Sequence, residues 1–251
     1  MKSFSYQLYS SRNFPPLENT LQMLSNAGYA EVEGYDELFT HSTDLGAFRA
    51  MLDNVNLRMT TAHFNLHSVR TNPKRVIEIA KSLDILGIYV PYLEAEARPE
   101  NALGWIEFGK SLSEAGKPIV DAGLIFGWHN HEYEFVDIGA TDRPMDLILA
   151  ADDSLSLEFD LAWAVVAGVD PMHWISLYGD RITATHIKDI AKKPACVDNT
   201  EWADIGYGTL DWPQFYLSLK RAGTRFFIME HDNPIDDEKF AQLSITTARK
   251  F

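Results

Sequence analysis

Eight short β-rich runs recur along this chain, each followed by a segment with helical spacing, and no linker or low-complexity stretch interrupts them. The candidate strands are residues 4–9, 31–34, 58–63, 88–93, 124–129, 155–159, 181–187 and 225–230. Leu17, Leu21 and Leu24 recur at i, i+4 and i+7, and Val76, Ile77, Ala80, Leu83 and Ile85-Leu86 repeat before Gly87. Trp105, Phe108, Leu112 and Ala115 form another stripe, which Gly116 and Pro118 are expected to end. Asp211 before Trp212-Pro213 reads as the N-cap of a helix that runs to Ala222-Gly223. Strand followed by crossover helix, repeated, requires parallel strands and right-handed connections. In 251 residues the economical closure is a (β/α)8 TIM barrel, one α/β domain spanning residues 1–251. An open doubly wound sheet is the competitor, but Tyr9-Ser10-Ser11-Arg12 stands where its Gly-x-Gly-x-x-Gly turn belongs.

Composition narrows the partners. With 36 Asp and Glu against 22 Lys and Arg, the net charge of −14 repels polyphosphate, so nucleic-acid binding is not expected. No apolar run approaches the ~20 residues of a membrane helix, and no basic-then-apolar leader precedes the first strand. A lone Cys196 cannot form an internal disulfide, which fits a reducing cytoplasm. The expected partner is a small molecule; assembly with further copies of the chain is left open.

A barrel of this kind places its chemistry at the C-terminal ends of its strands. Those ends read Val32-Glu33-Gly34, Ala62-His63-Phe64-Asn65, Trp128-His129-Asn130-His131-Glu132-Tyr133-Glu134, Glu158-Phe159-Asp160, His186-Ile187-Lys188-Asp189 and Met229-Glu230-His231-Asp232. A carboxylate closing an apolar strand is costly to bury unless paired, hydrogen-bonded or metal-bound. For Asp160 an N-cap role competes evenly with that of a ligand. Glu230 is a poor N-cap, which favours function. His186 alone would read as a core imidazole, but Asp160, His186 and Glu230 end consecutive strands, so closure brings them together. A His/carboxylate set without thiolate suits Mn2+, Mg2+, Co2+ or Zn2+. A fourth ligand should come from the fifth strand, where His129, His131, Glu132 and Glu134 compete.

Trp128-His129-Asn130-His131-Glu132-Tyr133-Glu134-Phe135 resembles the Tyr-His-Asn-His-x-x-Glu-Phe strand of the xylose isomerase-like barrel superfamily, in its sugar phosphate isomerase/epimerase branch. Phe159-Asp160-Leu161-Ala162-Trp163 with Gly168-Val169-Asp170-Pro171, His186-Ile187-Lys188-Asp189 and Met229-Glu230-His231-Asp232-Asn233-Pro234 follow in the same order. So do Val32-Glu33-Gly34, Ala62-His63-Phe64 and the loop Gly206-Tyr207-Gly208-Thr209-Leu210-Asp211-Trp212, and the likeness covers the whole chain. The resemblance implies one divalent ion, usually Mn2+, with Glu134, Asp160, His186 and Glu230 as ligands. It implies His63, His131 and Lys188 as substrate-facing groups, with Glu33, Asn65 and His231 beside them. His129 is read as packing more deeply, and Asp170 and Asp211 as helix caps.

In such a family the ion grips vicinal oxygens of a sugar, keto-sugar or inosose and makes the C–H next to a carbonyl acidic. Glu230 and Glu134 would pass the proton, with Lys188 or His131 supporting the oxyanion or acting as acid. The expected activity is isomerisation or epimerisation. Loss of a β-substituent would instead make the chain a dehydratase or lyase, and a non-catalytic sugar-binding subunit of an oxidoreductase is the reading from another class. Tyr9, Phe64, Trp128 and Trp163 are the aromatics placed to stack on a ring. The absence of a basic cluster favours an unphosphorylated substrate.

Overall fold

The computed structural model describes residues 3–41, 44–139, 141–192 and 202–251; Cys196 lies outside them. Eight parallel strands close a barrel: β1 (Ser5–Gln7), β2 (Glu31–Tyr35), β3 (Arg58–His63), β4 (Gly87–Val90), β5 (Ile125–His129), β6 (Ser156–Asp160), β7 (Ile182–Ile187) and β10 (Phe226–Met229). Between the last two, β8 (Asp189–Ile190) and β9 (Trp202–Ala203) form a separate antiparallel pair. Each strand has a predicted counterpart displaced by a few residues at most. The largest trims have local causes: Leu8–Ser11 turn into a 3-10 helix capped by the Gln7 side chain, and Pro91 cannot extend β4.

Alternation along the strands divides the molecule into two cores. Outward residues, among them Tyr6, Val32, Ile88, Phe126, Trp128, Phe159 and Phe227, pack under the helices. Inward residues are apolar only in the N-terminal half of the barrel, where Tyr89, Ala184, Phe226 and Ile228 cluster with Ile125 against them. Above this plug the interior turns polar. Gln7, Glu33, Thr61, His129, Glu158, Asp160, His186 and Lys188 are all 2% exposed or less. The strand ladder slips by one residue at two places, between Val32 and Glu33 against β3 and between Leu157 and Glu158 against β7. The extra residue lies in the partner strand each time, Thr60 of β3 and Thr183 of β7, so Glu33 and Glu158 face inward by the alternation of their own strands.

Most helix signals behave as the sequence implies. Asp170 and Asp211 cap their helices by accepting from the backbone N–H of Met172 and Gln214. The expected end at Gly116 and Pro118 is overturned, because the helix Ala102–Asp121 runs through both. Gly116 is there for contact: a Cβ would fall 2.0 Å from the Phe126 ring, so the glycine lets the helix lie against β5.

Gly127 plays the same part inside the barrel. A Cβ there would sit 2.4 Å from the Ser156 carbonyl oxygen and 2.9 Å from the Tyr89 ring. Gly127→Ala is therefore expected to cost about 1–3 kcal/mol, as overpacking of a dense core does. A urea-unfolding midpoint equal to that of the parent chain would show that the plug has slack the packing does not suggest.

Candidate active site

The polar layer converges on two overlapping groups whose ligand-type atoms lie within 4.8 Å of one another: His129, Asp160, His186 and Glu230, and His63, His129, Glu158 and His186. All six side chains are buried. His186 joins the halves. Its Nδ1 lies 2.8 Å from Glu230 Oε2, and its Nε2 lies 2.8 Å from Glu33 Oε1 and 3.4 Å from Glu158 Oε2. The His63 ring stacks on it at 5.3 Å, and His129 sits 4.4 Å away.

Charge is compensated locally. Lys188 is 1% exposed, and its ammonium donates to Asp232 Oδ1 at 2.8 Å while lying 2.9 Å from Glu230 and 3.1 Å from Asp160. Burial alone would strip its proton, yet Asp160, Asp232 and Glu230 outweigh that and raise its pKa well above the ordinary lysine range. Burial likewise opposes the charge on Glu230, but Lys188 and His186 hold the carboxyl well below its usual value. For Asp160, desolvation outweighs the same cations and the pKa rises. Burial, then the neighbouring His186 and His63, keep His129 neutral by lowering its pKa well below the usual range.

Asp160 serves in both of the roles that competed for it. Oδ1 accepts from the Trp163 N–H and caps the helix Leu161–Val166, whereas Oδ2 is buried against the Lys188 ammonium at 3.1 Å. Asn130 fixes this strand end by donating to the Asp160 carbonyl and accepting from the Asp160 N–H. Two buried histidines and two buried carboxylates, with donor atoms within 4.8 Å of one another, fit a divalent cation held by His129, Asp160, His186 and Glu230.

Over this floor opens a cavity of about 510 Å3, to which Tyr9, Arg12, Tyr35, His63, Tyr92, His131 and Glu230 contribute. It lies at the C-terminal ends of the strands, the catalytic face of barrels of this type. The family model described as xylose isomerase-like TIM barrel matches residues 21–249. This chain belongs to that family. Among solved structures, a sugar phosphate isomerase/epimerase from Parabacteroides distasonis superposes on this family member with a TM-score of 0.80 at 22% identity, covering 98% of this chain and 92% of its own. A probable 3-DHS dehydratase, AsbF, of Bacillus anthracis gives 0.79 at 11% identity, covering 99% of each chain. An IOLI protein with a bound zinc atom gives 0.75 at 15% identity, covering 99% of this chain and 97% of its own. At these identities the likeness shows the shared fold. A search of curated proteins returns no significant match.

Within this xylose isomerase-like barrel the expected site residues fall into three places. Asp160, His186 and Glu230, from consecutive strand ends, meet at the floor, and Lys188, expected to face substrate, is buried among them. His63, His131 and Asn65 line the cavity, although Asn65 Oδ1 is spent capping the helix Leu66–Thr71. Burial pushes the His131 imidazole down to about 3, so it is neutral, and its buried Nδ1 has no hydrogen-bond partner. Glu33 lies beneath the floor, accepting from Gln7 Nε2 at 2.9 Å and meeting His186 Nε2. His231 belongs to the packing: its ring lies 5.4 Å from Phe240 and its Nδ1 accepts from the Asn233 N–H.

Glu134 does not join the cluster, and His129 takes the fifth-strand place instead. After His129 the chain leaves the strand and turns into the 3-10 helix Tyr133–Phe135, which ends the alternation of faces. One Glu134 oxygen accepts from Trp128 Nε1 at 2.7 Å and the other from the His131 N–H at 2.8 Å. Burial pushes this carboxyl up to about 8. Trp128 is thereby an outward core residue, as is Phe64, which stacks on Phe39. Tyr9 does line the cavity, and Trp163 lies 5.4 Å from His131.

The loop Gly206-Tyr207-Gly208 offers no anion nest either. The Asp189 carboxylate already accepts from the N–H groups of Ile190, Gly206, Gly208 and Leu210. Glu158 and Gln7 were not singled out in the sequence. The available signal was parity, since Glu158 shares a strand face with Asp160 two residues on.

Glu134→Gln is expected to leave divalent-ion content unchanged while costing about 1–3 kcal/mol, because its amide nitrogen would face a buried N–H donor. Metal analysis alongside a denaturation midpoint checks both halves. Loss of the ion from a folded variant would return Glu134 to the ligand set.

Proposed function

We propose that this chain is a divalent-metal-dependent isomerase or epimerase acting on a sugar, keto-sugar or inosose by proton transfer at the carbon beside a carbonyl. The observation that carries this reading is the buried His129–Asp160–His186–Glu230 group at the floor of a cavity that also holds protonatable side chains. Mn2+ is the preferred ion, with Mg2+, Co2+ and Zn2+ compatible with the same donors. When bound, such an ion supplies Lewis acidity toward substrate oxygens and so acidifies the neighbouring C–H.

The chain's own residues supply the rest. Glu230 lines the cavity and is held ionised by Lys188 and His186, so its carboxylate can take a proton. His131, which burial keeps neutral, lines the cavity and can donate a ring N–H hydrogen bond to the developing oxyanion. Lys188 keeps its charge against Asp160, Glu230 and Asp232 and thereby fixes their positions. Glu134 supports this machinery by tying the His131 backbone to Trp128.

The rim favours a neutral polyhydroxylated substrate. Asp36, Glu37, Glu94 and Asp232 contribute carboxylates to the cavity wall. Its arginine, Arg12, donates to the Tyr9 and Asp232 carbonyl oxygens and lies 3.9 Å from the centre of the Tyr9 ring. A phosphate would meet repulsion and an engaged guanidinium.

Purified protein is expected to carry a divalent ion, or to take one up, and to catalyse solvent deuterium incorporation beside the carbonyl of a keto-sugar or inosose. Asp160→Ala should abolish ion binding and lower exchange by more than about 100-fold, beyond what loss of an outer-shell partner costs. Absence of any bound ion after reconstitution would overturn the proposal. Exchange accompanied by an unsaturated product would make the enzyme a dehydratase or lyase of the same substrates. Sugar binding without exchange across a broad panel would favour the non-catalytic subunit.

A further inference from the structure

Gln7 closes β1 inside the barrel, is 0% exposed, and has no part in the chemistry proposed above. Its single carboxamide nevertheless touches three parts of the site. Oε1 accepts from the Tyr9 N–H at 3.0 Å, and Nε2 donates to Glu33 Oε1 at 2.9 Å and to His63 Nδ1 at 3.4 Å. Tyr9 and His63 both line the cavity, and the same Glu33 oxygen lies 2.8 Å from His186 Nε2 at the floor. One fully buried polar group thus joins the aromatic wall to the histidines.

The donors decide which way the amide faces. A backbone N–H can be met only by the carbonyl end, so the Tyr9 N–H turns the NH2 end toward Glu33 and His63. That NH2 has hydrogens and no lone pair to offer. A proton on His63 Nδ1 would point at it, so Nδ1 carries the lone pair and the ring proton sits on Nε2. Glu158 Oε2 stands 2.5 Å from that nitrogen to receive it. The other amide hydrogen holds Glu33 Oε1 where it accepts His186 Nε2–H, which leaves His186 Nδ1 facing Glu230 and the proposed ion. A hydrocarbon side chain would fill the same space without setting either ring.

We propose that Gln7 is a positioning residue for the proposed reaction. It fixes the His63 tautomer directly and the His186 tautomer through Glu33, and it pins the backbone of Tyr9 above them. Floor and wall then keep one register, because the 3-10 helix Leu8–Ser11 that carries Tyr9 is capped by the same side chain that orders the histidines. The inference rests on the proton-transfer reading of this site, and its test keeps the two apart.

Histidine ring 15N spectra of the Zn2+-loaded chain, assigned with His63→Gln and His186→Gln, should show both rings protonated at Nε2 and not at Nδ1. Gln7→Met keeps the bulk of the side chain and removes its N–H donors. This variant should retain the parent Zn2+ content and show a His63 signal divided between tautomers. Its kcat for solvent deuterium exchange should fall about 10–100-fold, the usual cost of an outer-shell partner. KM for the keto-sugar or inosose that the parent exchanges should rise as Tyr9 loses its tie. The parent spectra need no variant, so they decide the matter even where Gln7→Met fails to fold. A His63 ring protonated at Nδ1 in the parent would overturn the inference. Parent tautomers and parent kcat in Gln7→Met would do the same, even with a lowered unfolding midpoint, since that is the signature of a purely structural amide. In either case exchange by the parent leaves the proposed function standing, whereas a parent chain with neither ion nor exchange overturns both.

Discussion

Four carboxylates enclosed in one barrel set the terms for everything at its C-terminal mouth. Glu33, Glu158 and Asp160 are fully buried and Glu230 is 6% exposed, so none can rely on bulk water for solvation. Removing such a group from water costs several kcal/mol unless a counter-charge meets it. Lys188 is one such counter-charge, and it is buried for that reason: its ammonium touches three carboxylates, and Trp202 lies 4.7 Å away against its other side. The stacked histidines are the rest. This network has no apolar substitute of equal shape, because its members come from five strands and each partner is shared. Removing Lys188 would leave Asp160 and Glu230 facing each other without their shared cation, whereas removing either acid leaves the lysine two carboxylates.

The apolar plug below is the counterpart of that polar layer. A closed barrel needs its interior filled, and Tyr89, Phe226 and Ile228 fill the N-terminal half with Gly87 and Gly127 making room for the tyrosine ring. Only the upper half is then left for charge. Burial of the site thus follows from barrel closure and a short plug, before any loop is considered.

Strand positions were legible because hydrophobic runs, Gly and Pro punctuate the chain with the periods of their elements. Asp160, His186 and Glu230 were legible for the same reason: each sits a whole number of alternations along an inward face. Legibility stopped where periodicity stops. Glu134 lies past the last residue of β5, in a 3-10 turn where parity no longer predicts direction, whereas His129 is the strand's terminal inward residue. Gly116 and Pro118 misled because they punctuate helices in general, yet here one provides contact with Phe126 and the other is absorbed within the last turn. Glu158 was within reach of the same alternation, and Glu33 stood at its strand end, but strand periodicity carries no depth and so did not place either beneath the floor.

The mouth divides its labour between the two halves of the sheet. Tyr9, Tyr35 and Tyr92 extend from the ends of β1, β2 and β4, while Asp160, His186, Lys188 and Glu230 close β6, β7 and β10. The first group contacts edge-on, Tyr9 against Tyr35 at 5.3 Å and Tyr92 against His131 at 5.3 Å, and presents apolar rings with hydroxyl tips. Such a wall can recognise a polyhydroxylated ring by stacking and hydrogen bonding without adding charge. The second group forms the buried charged floor and is anchored at the strand ends. The aromatic half can therefore vary without disturbing the charged floor, which the strand ends hold in place.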